Sequence, residues 1–314
     1  MTIGIADIEA ARERIAAHVR RTPVIELSQL KTPPLVDARV TLKLELLQVT
    51  GSFKARGAMN RLLSTPKESL GAGIVTASGG NHGLAVARTA HVAGVPAAIY
   101  VPSNVSPAKV AKMKLWGATV EIVGDVFEQS NAAAHDHAAK TGAVYFHPFA
   151  DPLVVAGQGT LGLEILDDLP DVDAVLVAIG GGGLISGLST AIRARRPGVR
   201  IIGVEPTGSP TLKASLDAGH VVTLDKVTSR VPTMSCRRTE QLNFDIVRAN
   251  VDDIVLVSDE EMEAASRWLW IEMGVAADLS GAASLAALRQ APASLNGARH
   301  ICALVCGAGA EGTG

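Results

Sequence analysis

The stretch Ala174-Val175-Leu176-Val177-Ala178-Ile179-Gly180-Gly181-Gly182-Gly183-Leu184-Ile185-Ser186-Gly187-Leu188 decides the fold. Six apolar residues run without alternation, four glycines follow, and Leu184, Ile185 and Leu188 then recur at helical spacing. An unbroken apolar strand suits a parallel sheet covered on both faces. The stretch is too short to span a bilayer. An ordinary turn needs one or two glycines, and ordering four has a large entropic cost. Four in a row predict close backbone approach to a ligand, with phosphate at the N-terminus of the following helix.

The same pattern repeats outward from this turn. Candidate strands fall at 40–46, 73–77, 97–101, 119–123, 143–146, 200–204, 253–257 and 301–305, besides 174–179. Helical patterns lie between most of them, at 81–93, 107–116, 126–140, 184–195 and 259–272, after a first helix at 7–19 capped by Asp7. Alternating strands and helices predict an α/β protein with open, twisted, mostly parallel sheets and helices on both faces. With 314 residues, the chain has the length of roughly two domains. Pro148 and Asp151-Pro152 punctuate it. The expected division is a large domain from 1–46 and 149–314 and a small one from 47–148. Ligands of such folds bind beyond the carboxyl ends of the strands, so the site is expected in the cleft. The polar stretch 221–236 reads as a loop over it.

Composition excludes several functions. Lys and Arg number 29 and Asp and Glu 31, a net charge of −2, which leaves no electrostatic footprint for nucleic acid or an anionic membrane. Three cysteines without CxxC spacing fit a reducing compartment. Asp7, Glu9, Arg12, Glu13, Arg14, Arg20 and Arg21 leave no apolar signal core near the N-terminus. A cytoplasmic protein is expected, with a small molecule rather than a polymer or membrane as its partner, and a homodimer as its assembly.

Two further turns stand where a ligand is expected. In Thr50-Gly51-Ser52-Phe53-Lys54-Ala55-Arg56-Gly57, Lys54 lies at the entry to a helix beside Phe53. Desolvation there favours the neutral amine that Schiff-base chemistry uses. In Thr76-Ala77-Ser78-Gly79-Gly80-Asn81-His82-Gly83, small residues ahead of a helix form a nest of N–H groups for an anion such as a carboxylate. Here Asn81 is expected near the N-cap. Two familiar phosphate motifs fail at the four glycines. Leu184-Ile185 replaces the Lys-Ser/Thr of a P-loop, and no starting glycine gives the n, n+2, n+5 spacing of a dinucleotide fingerprint. Glu205, at the end of the next strand, is the one feature that suits a ribose-binding acid.

Together the three turns resemble those of the fold-type II pyridoxal-phosphate enzymes, and most closely the serine/threonine dehydratase branch that also contains serine racemase. The order matches: Ser52-Phe53-Lys54, then Ser78 to His82, then the glycine tetrad, then Cys306 on the last strand in Ala303-Leu304-Val305-Cys306-Gly307. Gly157-Gln158-Gly159-Thr160, Gly203-Val204-Glu205-Pro206 and Val251-Asp252-Asp253-Ile254 also resemble the branch. The resemblance covers nearly the whole chain. It implies pyridoxal 5'-phosphate as cofactor, with Lys54 as its Schiff-base anchor and the catalytic base. Phe53 packs on the pyridine ring, Asn81 bonds the ring hydroxyl, and Cys306 faces the ring nitrogen. Gly180, Gly181, Gly182, Gly183 and Leu184 hold the phosphate by backbone N–H. Ser78, Gly79, Gly80, Asn81 and His82 hold the substrate carboxylate, with Ser78 also a catalytic candidate. A thiol cannot keep the ring nitrogen protonated as a carboxylate can, which suits elimination.

Departures from the branch bear on the substrate. Gly79 replaces the second serine of racemases, which argues against racemisation. The branch's divalent-cation site resembles Glu205 plus an acid six residues on, but Thr211 stands there, so no metal is expected. Ser229-Arg230-Val231 stands for the usual Ala-Asp-Gly, and Asp278-Leu279 for Glu-Pro. The implied activity is a threonine/serine dehydratase, an ammonia-lyase that gives a 2-oxo acid and ammonia. An amino-acid racemase, a hydroxyaspartate dehydratase, a β-replacement enzyme and a non-catalytic amino-acid-binding protein are the alternatives.

Overall fold

A computed structural model describes residues 3–35 and 37–313. It contains two sheets. The smaller has four parallel strands in the order β5-β4-β3-β6: β3 (Ile74–Ala77), β4 (Ala97–Val101), β5 (Thr119–Ile122) and β6 (Val144–Tyr145). The larger has six, in the order β1-β2-β10-β7-β8-β9. These are β1 (Val24–Glu26), β2 (Arg39–Lys43), β7 (Ala174–Ala178), β8 (Arg200–Pro206), β9 (Asp253–Val257) and β10 (His300–Leu304). Only β1 pairs antiparallel. β7 is buried along its whole length, as its unbroken apolar run predicts.

Eleven α-helices connect the described strands: α1 (Ile5–Ile15), α2 (Lys54–Leu63), α3 (Asn81–Ala93), α4 (Pro107–Leu115), α5 (Phe127–Thr141), α6 (Pro152–Asp168), α7 (Gly183–Arg195), α8 (Thr211–Ala218), α9 (Gln241–Asn250), α10 (Asp259–Met273) and α11 (Leu279–Arg289). The helix α6 is buried on almost every side. Pro152 opens it, and Asp151 Oδ1 caps it by accepting Leu153 N–H at 2.8 Å. It packs on α2 with no room for side chains. A Cβ on Gly157 would lie 2.7 Å from Gly57 Cα, and one on Gly57 would lie 2.7 Å from Val154 O.

Several boundaries differ from the sequence expectation. The first helix starts at Ile5 behind Gly4 and ends at Ile15, not 19. Asp7 is not the N-cap. It is the third helical residue, and its carboxylate accepts Gly4 N–H at 2.9 Å. The strand expected over 40–46 stops at Lys43, and 45–47 forms a 3₁₀ turn. Asn81 is the first residue of α3 and Gly80 its N-cap.

Candidate active site

All three turns expected from the sequence lie between strands and helix N-termini. At the glycine tetrad, the chain leaves β7, reaches Gly182 at φ +95°, and enters α7. Only glycine takes that φ without strain. The Gly181 carbonyl is held by Thr239 Oγ1 at 3.0 Å and Asn243 Nδ2 at 2.8 Å. Among the described residues, the N–H groups of Gly180, Gly181, Gly182, Gly183 and Leu184 have no protein acceptor. Five such N–H groups at a helix start form an anion cradle. The glycines are also needed by their protein neighbours. A Cβ on Gly180 would lie 2.7 Å from Thr233 O, one on Gly183 would lie 2.9 Å from Phe149 Cα, and one on Gly181 would run into the Phe149 ring.

Lys54 opens α2 and is partly buried. Its amine donates to the Pro148 carbonyl at 2.6 Å and, among the described residues, meets no carboxylate. Burial lowers its pKa from 10.5 to about 8, because water no longer stabilises the ammonium. The Phe53 ring lies beside it, its centroid 5.2 Å from Nζ. Phe53 N–H donates to the Cys306 carbonyl at 3.3 Å, and Ser52 forms a β-bridge with Gly307. Lys54 and Cys306 therefore share one backbone frame.

Cys306 is buried, with Sγ 3.5 Å from the Ser280 carbonyl, and burial pushes its thiol pKa up. The neighbouring Asp278 caps α11, accepting Gly281 N–H at 2.6 Å and Ser280 Oγ–H at 2.7 Å through Oδ1. Its Oδ2 takes Asn81 Nδ2–H at 3.0 Å. This contact fixes the Asn81 amide.

At the turn before α3, Gly80 N–H donates to Ser78 Oγ at 3.3 Å. Among the described residues, the N–H groups of Gly79, Asn81 and His82 have no protein acceptor. The His82 ring turns away from this nest. Its Nε2 meets the Phe146 carbonyl at 3.2 Å, Nδ1 has no partner among the described residues, and burial holds its pKa down near 3. Any anion binding by His82 is therefore through its backbone. A Cβ on Gly79 would lie 2.9 Å from Val105 Cγ2.

Sequence reasoning missed the segment 146–150. It supplies the carbonyls bonded to His82 and Lys54, while His147 Nδ1 accepts the N–H groups of Phe149 (3.2 Å) and Ala150 (2.9 Å). Burial lowers the His147 pKa to about 4, so this ring is neutral. Thr239 and Asn243, which orient the cradle, also carried no signal among ordinary polar residues. The loop expected over 221–236 reaches the site through its later part. Ser229 and Arg230 are drawn to Asp259, through Ser229 Oγ at 2.7 Å and Arg230 N at 2.8 Å. Thr233 is the residue that approaches Gly80 and Gly180. At Glu205, the two carboxylate oxygens accept Leu212 N–H at 2.8 Å and Lys213 N–H at 2.9 Å, and the Thr211 hydroxyl bonds the Cys236 carbonyl. That donor set does not fit a divalent cation.

The chain matches a family model described as pyridoxal-phosphate dependent enzyme over residues 15–307. It is 40% identical to an L-threonine ammonia-lyase of Geobacter sulfurreducens, over 95% of this chain and 73% of the relative. It is 35% identical to a phenylserine dehydratase of Ralstonia pickettii, over 96% of this chain and 92% of the relative. The structure of maize serine racemase superposes with a TM-score of 0.93 at 33% identity, covering 98% of this chain and 94% of that one.

Proposed function

The chain belongs to the pyridoxal-phosphate-dependent enzymes, and on that premise we propose that it eliminates water from L-threonine or L-serine to give a 2-oxo acid and ammonia. The observation that carries this reading is the Lys54 amine, partly buried, with its pKa lowered by desolvation and its hydrogen bond made to a carbonyl. It opens a helix whose entry is bonded to Cys306.

The residues present fit pyridoxal phosphate. Five N–H groups without acceptors suit its phosphate, the Lys54 amine, more easily deprotonated than an ordinary lysine, suits covalent attachment, and the protonated Cys306 thiol suits a neutral ring nitrogen. When bound, the cofactor supplies a sink for the electron pair left at Cα. Lys54 anchors it and, once released by the substrate amine, takes the Cα proton. The nest at Gly79, Asn81 and His82 holds the substrate carboxylate by backbone N–H. Asn81, with its amide fixed by Asp278, orients the ring hydroxyl. Loss of the β-hydroxyl as water then leaves an enamine product, which hydrolyses to the 2-oxo acid and ammonia.

The same reading extends to a homodimer in the cytoplasm and to a cleft between a large and a small domain. The test is a panel of β-hydroxy amino acids scored for 2-oxo acid and ammonia. Release from L-threonine or L-serine supports the proposal. D-amino acid without 2-oxo acid, or no product from either substrate, contradicts it.

A further inference from the structure

Two residues beyond Lys54, the buried Arg56 side chain enters a largely buried ionic cluster. Its guanidinium forks onto Glu45, Nε to Oε1 at 2.6 Å and Nη2 to Oε2 at 2.9 Å. It also reaches Glu164 Oε2 at 3.0 Å and Thr160 Oγ1 at 3.3 Å. Lys43, equally buried, donates to Glu164 Oε1 at 2.7 Å and Asp168 Oδ2 at 2.8 Å. Glu164 is held below its usual pKa by Arg56 and Lys43, against the opposing effect of burial.

The position of this cluster matters more than its strength. Buried ion pairs often add little net stability, because desolvation offsets the attraction. A bidentate guanidinium–carboxylate pair does fix both distance and rotation. Here the Arg56–Glu45 fork closes the loop from Glu45 to Arg56. The residue after Glu45, Leu46, donates its N–H to the Val305 carbonyl at 2.8 Å, one residue before Cys306. Further along, Ala308 N–H donates to Gly51 O at 2.8 Å, and Phe53 N–H donates to Cys306 O. Thr50 and Gly51, at φ +66° and +84°, make the sharp turn inside this loop. On its other side, Arg56 binds α6, against which Gly57 packs with no intervening side chain.

We propose that Arg56 is a positioning residue: its fork to Glu45 and its bond to Glu164 lock the first turn of α2 to the frame that carries Cys306, and so fix Lys54 against the cofactor ring. The small sheet and its turn at 78–82 are not part of this lock. This inference rests on the role of Lys54 proposed above.

Two variants separate positioning from plain stabilisation. Arg56→Lys keeps the charge and loses the fork. Arg56→Met with Glu45→Gln removes the pair, while Glu164 keeps Lys43 as its partner, so stability is expected to stay close to that of the parent. Both are measured for melting temperature, for kcat and KM, and, as apoproteins, for the pH midpoint of reductive methylation at Lys54. Positioning predicts that the folded variants lose kcat by about 10- to 100-fold with KM within about threefold, the size expected when a catalytic group is misplaced. It also predicts that the methylation midpoint climbs from about 8 toward 10.5. A folded variant with kcat within twofold of the parent, or with an unmoved midpoint, overturns the proposal, as does failure of both variants to fold. Lys54→Ala in parallel keeps the two readings apart. If it is inactive while the Arg56 variants work normally, only the Arg56 inference falls.

Discussion

Asn81 and Asp278, 197 residues apart in the chain, meet through Asn81 Nδ2–H and Asp278 Oδ2 at 3.0 Å. The same carboxylate caps α11 through Gly281 N–H. Hydrogen bonds to a charged group contribute about 1.5–3 kcal/mol, and a cap about 1 kcal/mol. Asp278→Ala is therefore expected to weaken pyridoxal phosphate binding about tenfold and to lower the melting temperature of the apoprotein. Fluorescence titration of apoprotein with the cofactor checks the first effect. An unchanged dissociation constant means that Asn81 needs no support from Asp278.

Substitution at Gly182 tests the cradle. A Cβ there would lie 3.0 Å from Leu212 Cδ1 and 3.1 Å from Asn243 Cβ, at a φ of +95°. The backbone strain alone costs about 1–3 kcal/mol. Gly182→Val is expected to reduce cofactor affinity more than tenfold while the apoprotein still folds, with its melting point only a few degrees lower. Wild-type affinity in the variant removes the phosphate role from this turn.

Product analysis addresses the reaction face. Gly79 has no hydroxyl with which to exchange a proton, so L-serine in deuterated water is expected to yield pyruvate well in excess of D-serine. The reciprocal change is not a simple addition, because a side chain at 79 meets Val105. Gly79→Ser combined with Val105→Ala is the variant expected to raise the D-serine share. A D-serine yield comparable to pyruvate in the parent enzyme contradicts the assignment.

Glu205 makes stability depend on pH. Burial raises its pKa from 4.5 to about 7, so the native state holds a proton that the unfolded chain has released. Between about pH 4.5 and 7 the native state binds more protons, and its stability falls as pH rises, by up to about 3 kcal/mol. Urea unfolding across that range checks the slope. Glu205→Gln is expected to flatten it, and an equally steep slope in the variant assigns the effect elsewhere.

The strands and the three turns were legible because local sequence dictates them. The apolar run of 174–179 must be buried, and the glycines of 180–183 have few other uses. The hidden parts depend on contacts between distant segments. Nothing in Asp278-Leu279 announces a bond to Asn81, and Thr239 and Asn243 resemble any other polar pair. The missed β1 has three residues and no alternation to read. Arg56 stood inside a quoted turn, but its partners Glu45 and Glu164 lie 11 and 108 residues away. Which part of the covering loop meets the site has a similar cause, since Asp259 draws Ser229 and Arg230 away and leaves Thr233 over the glycines.

The central claim is that Lys54 carries the cofactor and the base. Borohydride reduction of the holoenzyme followed by peptide mapping tests it directly. The account predicts one pyridoxyl group per chain, on the peptide containing Ser52-Phe53-Lys54, with label and 2-oxo acid production both lost in Lys54→Ala. A label on any other lysine, or a Lys54→Ala protein that still turns over L-threonine at the parent rate, contradicts it.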